Sequence, residues 1–230
     1  NLDYVFTLAD LARVQEKWES AIDLYILGYN INNQAINGLK QALQIALMTN
    51  NFKKGEEICL LLINENPGEI KLLETLRDLS LYTKNYETAY NSIIKIEEII
   101  GSSIEILFQK SALQEELDNF NLALDFMHEA YNKDSLNIDI LNRIVTLYIN
   151  QDKNDKAVFF NQKIIKNFPN DSKGFINNAL MALSRESPED AIEVLSSNSK
   201  NFLNDFTFQY LLGTSYYHMK NYSDAEKHLN

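Results

Sequence analysis

The chain is poor in the residues that punctuate or cross-link a backbone: among 230 residues there are 7 glycines, 3 prolines and a single cysteine. So few turn formers cannot supply the many hairpins of a sandwich or barrel, which excludes an all-β fold and favours helices. One cysteine excludes an internal disulfide framework and any zinc site built on several thiolates. Cations are also in deficit. With 21 Lys and Arg against 32 Asp and Glu, the formal charge is -11, the wrong sign for a surface that must neutralise nucleic-acid phosphates. The longest apolar run, Ile58 to Ile63, is six residues, whereas a membrane-spanning helix needs about 20. The expectation is a soluble chain that does not insert into a membrane.

What the sequence does contain is a period. Ala21, Ala89, Ala123, Ala157, Ala191 and Ala225 fall on one grid of 34 residues, with Gly55 in the remaining slot. Three residues earlier the same grid carries Trp18, Phe52, Tyr86, Phe120 and Tyr222, interrupted by Asn154 and Pro188. Two independent columns in one phase indicate a repeat architecture. Each unit reads as two helices. In residues 36 to 69, Leu39, Ala42, Leu43 and Ala46 keep helical spacing, and a second stripe runs through Phe52, Ile58, Cys59 and Leu62. Asn51, Asn85, Asn119 and Asn221 precede the aromatic column, where they are expected to take the left-handed backbone that ends the first helix, a role glycine often fills. The small residue lets the second helix approach the first closely.

A 34-residue helix-turn-helix unit with Leu212-Gly213-Thr214-Ser215-Tyr216 in its first helix, then Tyr222 and Ala225 in its second, resembles the tetratricopeptide repeat. Units then begin at Leu2, Ile36, Ile70, Ile104, Ile138, Ser172 and Phe206. They span residues 2–35, 36–69, 70–103, 104–137, 138–171, 172–205 and 206–230 of a single array. The resemblance implies an all-α fold, a right-handed superhelical solenoid of antiparallel helix pairs in which each unit contacts its neighbours. Arg77, Lys110 and Gln114 depart from the family pattern, occupying first-helix positions that are normally small or apolar. Ser187-Pro188-Glu189-Asp190 replaces the usual turn with an N-cap serine, a first-turn proline and two acids aligned with the helix dipole. The Ser- and Asn-rich stretch behind it predicts a short second helix in that unit. The sequence starts on a helix without Met and stops within a second helix, so it is read as a piece of a longer protein whose uncovered last unit promotes end-to-end association.

In the family, first-helix positions two, five, six, nine, twelve and thirteen tend to face a concave groove. Here the early units place Lys40, Gln44 and Asp78 there, among interspersed charges. The later units place Phe108, Asn142, Thr146, Asn177, Tyr210, Thr214 and Tyr217, amide and hydroxyl groups suited to a peptide backbone together with aromatic anchors. The later set is the preferred site. Against it stands the reading that Ile176, Leu180 and Leu183 merely pack on neighbouring helices. Lys40, Gln44, Thr75, Glu105 and Gln109 lack the third-unit cations with which some family members hold a C-terminal carboxylate. His128, His218 and His228 have no partner at metal-ligand spacing, and Cys59 reads as a buried inert thiol. No phosphate loop or nucleophile elbow is present, so no cofactor and no catalysis are implied. The expected function is a protein-interaction scaffold taking a neutral or basic protein or peptide partner. The alternative is a substrate-presenting or oligomerising arm of an enzyme such as a glycosyltransferase. Many Asn, Lys and Ile residues fit a bacterial source and fix no compartment.

Overall fold

The computed structural model describes residues 1–229; Asn230, the last residue of the seventh unit, lies outside them. Among the described residues there are fourteen α-helices, one 3-10 turn at Ser199–Asn201 and no strand. The first helices are α1 (Leu2–Val14), α3 (Ile36–Met48), α5 (Ile70–Tyr82), α7 (Ile104–Glu116), α9 (Ile138–Ile149), α11 (Lys173–Ser184) and α13 (Phe206–His218). They alternate with second helices α2 (Trp18–Ile31), α4 (Phe52–Glu65), α6 (Tyr86–Ile100), α8 (Phe120–Lys133), α10 (Asn154–Asn167), α12 (Pro188–Asn198) and α14 (Tyr222–Leu229). Every second helix therefore starts on the aromatic column or its Asn and Pro substitutes. The first helices start where the sequence periodicity places them, α11 one residue later.

The helices gather into two compact units, Asn1–Leu117 with α1 to α7 and Asp118–Asn230 with α8 to α14. Within each, every helix packs on its sequence neighbours, and in the second unit α11 also touches the first helices α9 and α13. Each unit is thus an all-α solenoid segment.

The turn inside each pair has one geometry. Left-handed φ values recur at Glu16, Asn50, Lys84, Asp118, Asp152, Glu186 and Lys220, all on the 34-residue grid. At Asn50 the Asn51 amide donates to Ala46 O at 2.8 Å and the Asn50 amide to Leu47 O at 3.2 Å, the paired bonds of a Schellman motif. Lys84 and Asn85 repeat them on Leu81 and Ser80, Lys220 and Asn221 on Tyr217 and Tyr216. The asparagine column is therefore not the left-handed position, which lies one residue earlier. Asn51 and Asn85 instead cap the second helix, accepting from Lys54 N at 3.3 Å and Thr88 N at 3.4 Å. A short side-chain carbonyl reaches an orphan N–H there, which explains the preference for asparagine. Ser187 starts α12 ahead of Pro188, but its side chain makes no capping bond. The helix is short, 11 residues, with the 3-10 turn behind it.

The small-residue column sits at the tightest part of each pair. Ala21, Ala89, Ala123, Ala157 and Ala191 are fully buried, and a Cβ on Gly55 would come within 3.1 Å of Leu79 Cδ1. Around this seam lie Leu39, Ile58, Leu73 and Ile93 in the first unit and Ile140, Leu141, Ile144 and Phe208 in the second. Some fastenings are polar. Glu56, one residue after Gly55 and buried, accepts from Ser80 Oγ at 3.0 Å, Thr83 Oγ1 at 2.9 Å and Asn85 Nδ2 at 2.6 Å. Lys110, at a position the repeat pattern keeps apolar, is buried with its Nζ 2.9 Å from Glu97 Oε2. Arg77 stays half-buried, donating to Asp78 at 2.8 Å and to Gln109 Oε1 at 3.2 Å.

Two stability outcomes follow. Glu56→Ala strands three donors in a buried site, a loss of about 2 kcal/mol in urea unfolding; an unchanged midpoint would show that the three donors rebond elsewhere. Lys84→Gly relieves a left-handed Cβ penalty of roughly 1 to 2 kcal/mol against an entropy cost of roughly 0.4 to 1 kcal/mol. Its expected net gain is about 0.5 to 1 kcal/mol in the same assay.

Candidate functional site

Exposed polar groups on the first helices form the candidate surface, and the two units supply different chemistry. In the first unit Phe6 is the starting point. A Cβ on Gly28 or on Gly38 would lie 2.6 Å from Phe6 Cε1, so these two glycines, on α2 and α3, make the slot in which this ring lodges. Beside it opens a hollow of about 580 Å³ lined by Asp10, Arg13, Tyr25, Asn37 and Gln41. Tyr25 belongs to a second helix and escaped the position rule. Its hydroxyl donates to Asp10 Oδ1 at 2.5 Å, and burial followed by this bond pushes its pKa up. Arg13 lies 3.6 Å from the same carboxylate. Lys40 and Gln44 are exposed on α3, and Gln44 lines a smaller hollow of about 210 Å³ with Arg13, Trp18 and Met48. Asp78 is exposed on α5 but already paired with Arg77 at 2.8 Å. Phe108 on α7 is half-buried.

In the second unit, Asn142 and Thr146 are half-buried on α9, and Thr146 Oγ1 returns its hydrogen bond to Asn142 O at 3.0 Å. Asn177 does not face a groove. It is 2% exposed, and its Nδ2 donates to Asn142 Oδ1 at 2.9 Å and Asn161 Oδ1 at 3.1 Å. Asn161, equally buried, passes the chain on to Gly174 O at 2.8 Å and Asn178 Oδ1 at 2.7 Å. Position six of the repeat that begins at Ser172 points into its helical neighbours, where a buried amide must find hydrogen-bond partners, so Asn177 serves structure. The ladder orients Asn142: its Oδ1 accepts from Asn177, and its Nδ2 makes no hydrogen bond among the described residues. Tyr210 is 53% exposed and stacks on Phe206 with centroids 6.0 Å apart, while Tyr217 is 58% exposed and meets Tyr222 edge-on at 5.6 Å. Phe206, Tyr210 and Tyr217 share one face of α13, at spacings of four and seven residues. Thr214 beside them bonds back to Leu211 O at 3.0 Å. Ile176 and Leu183 pack on the core beneath, and Leu180 is 37% exposed.

The titratable groups outside these surfaces have settled environments. Cys59 is fully buried and burial, then Glu56, pushes its thiol up to about 12, so it is no nucleophile at neutral pH. His228 bonds Gln209 Oε1 at 2.7 Å and stacks on Tyr216. His128 is half-buried, 2.9 Å from Tyr148 Oη and 5.6 Å from the Phe160 centroid. Burial holds its pKa below the usual histidine value, Lys156 adding to the effect and Asp125 opposing it. Among the described residues no group of three or more His, Cys, Asp or Glu could hold a metal ion, and no helix is long and apolar enough to cross a membrane.

The folded pKa of His128 lies below the unfolded value of about 6.5, so the folded state prefers the neutral ring. Its contribution is whole above that value and is lost as pH falls through the folded pKa. The melting point of the wild-type chain minus that of His128→Gln is therefore expected to fall between neutral pH and about pH 5. A pH-independent difference would mean that the ring is charged or solvated throughout.

No family profile matches the chain, and no curated protein sequence matches it. Solved structures do. A tetratricopeptide repeat protein from Parabacteroides merdae shares 17% identity at a TM-score of 0.51, over 94% of this chain and 84% of that one. YrrB, described as a tetratricopeptide protein with an unusual peptide-binding site, shares 12% identity at a TM-score of 0.53, over 86% of this chain and 97% of its own. The MamA protein shares 14% identity at a TM-score of 0.55, over 73% of this chain and 91% of its own. Helix pairs on a 34-residue grid, Schellman turns, small residues at each crossing and these structural likenesses together give the chain the tetratricopeptide-repeat fold.

Proposed function

We propose that this chain is a non-catalytic protein-interaction module that takes a peptide segment on the first helices of its second unit. The observation that carries this reading is the pair of half-exposed tyrosines, Tyr210 and Tyr217, on one face of α13, large rigid anchors of the kind that dominate interfaces. Asn142 adds a fixed polar element. With its Oδ1 held by Asn177, it offers Nδ2 to an acceptor, which suits a peptide carbonyl. The peptide-binding site named for YrrB supports a protein partner in general terms. In the first unit Lys40 and Gln44 on α3, Asp78 on α5 and Phe108 on α7 are candidates for secondary contacts. The net charge of -11 favours a neutral or basic ligand, chiefly through the association rate.

Selection of binders from a displayed peptide library, followed by calorimetry on the best, tests the assignment. Tyr210→Ala, Tyr217→Ala and Asn142→Ala are each expected to weaken binding by about 1 kcal/mol or more, roughly fivefold, with helical content unchanged. Asn177→Ala should act mainly on stability, lowering it by roughly 1 to 3 kcal/mol through stranded amides. Full binding by all three surface variants would place the ligand elsewhere.

A further inference from the structure

In a chain with 32 acidic and 21 basic residues, one helix face runs against the balance. On α10, Lys156, Phe159, Lys163 and Lys166 follow at intervals of three, four and three, and Lys153 precedes them. They form one stripe about 15 Å long, on the side opposite the buried Ala157, Asn161 and Ile164. Among the described residues no carboxylate lies within ion-pair distance of Lys156, Lys163 or Lys166. Their neighbours are aromatic. The Lys163 Nζ lies 4.8 Å from the Phe159 centroid and 4.9 Å from that of Tyr131, and donates to Tyr131 Oη at 2.6 Å. The Lys156 Nζ is 5.6 Å from the Tyr148 ring. Phe159 is 56% exposed and held edge-on by Phe160 at 5.3 Å. A cation kept over aromatic rings remains available to an anion, and an anchored ring at the surface is contact area already ordered.

We propose that this stripe is a docking surface for an acidic, partly apolar segment of a partner protein. Carboxylates of the segment pair with Lys156, Lys163 and Lys166, and an aliphatic or aromatic side chain lies on Phe159. The charge is complementary only along a narrow line: the exposed Asp155 stands on α10 itself, one residue before Lys156, and the exposed Asp125 and Glu129 stand on α8, which packs against α10 through Tyr131 and His128. Those flanks repel a broad polyanion such as a duplex or an anionic bilayer and admit a single segment. The site is separate from the tyrosine face of α13, so it stands whether or not that face binds a peptide.

The probe is a fluorescein-labelled peptide of about fifteen residues, with glutamates spaced to meet the three lysines and a leucine to meet Phe159. Anisotropy is compared with the same peptide carrying glutamine for glutamate. The acidic form is expected to bind at least about tenfold tighter, and the double variant Lys156→Glu, Lys166→Glu to lose at least about tenfold. Phe159→Ser should weaken it severalfold, with Tyr217→Ala and Asn142→Ala binding as wild type and circular dichroism unchanged throughout. Lys163 is left intact because it packs on Tyr131. Equal binding of the two peptides, or wild-type affinity in the double variant, overturns the proposal. So does tighter binding of oligothymidylate or phosphatidylglycerol vesicles through the same lysines, or self-association of the chain that the double variant abolishes, since each assigns the stripe a different occupant.

Discussion

The rest of the structure depends on how closely the second helix of each pair can approach the first. That distance is set by a residue without a large side chain, buried alanine or Gly55, placed three residues into the second helix. The left-handed residue five positions before it reverses the chain in a fixed number of residues, so crossing and turn share one register. Once both are fixed, side chains at 34-residue intervals meet equivalent surroundings. The apolar face that a single pair cannot cover is covered by the next.

Departures from that plan are polar and confined to particular seams. Glu56 gathers three donors from α5 and the turn behind it, and Lys110 pairs with Glu97 across α6 and α7. In the second unit an amide ladder from Asn142 through Asn177 and Asn161 to Asn178 ties α9, α10 and α11 together. Such groups contribute little net energy when satisfied and cost much when one partner is lost. Their effect is to fix orientation, and the ladder shows a consequence at the surface: the buried Asn177 holds the Oδ1 end of the Asn142 amide.

First helices carry most of the hollow beside Phe6, joined by Tyr25 from α2, and the tyrosines of α13; the lysine line lies on a second helix, α10. The chain is acidic overall, yet charge is local in its effects because screening confines each group to about 8 to 10 Å. A lysine line on α10 can therefore attract an acid although the chain carries a net charge of -11.

Helix boundaries, the small-residue seam and the inertness of Cys59 were legible in the sequence, because they are set by spacing and by side-chain size, which a repeat displays column by column. The backbone role of the asparagine column was not: residues one position apart share a turn, and only hydrogen-bond geometry separates the left-handed Asn50 from the capping Asn51. Of the candidate site, the exposed tyrosines followed from their helix positions, whereas Asn177 went inward because amides from α9 and α10 awaited it. Tyr25 entered the first-unit hollow from a second helix, through a partner fifteen residues away. The lysine line on α10 was present in the sequence as scattered cations. Its freedom from carboxylates, and its bed of Tyr131 and Phe160, arise where α8 and α10 meet, because burial and pairing are properties of neighbours that local spacing does not specify.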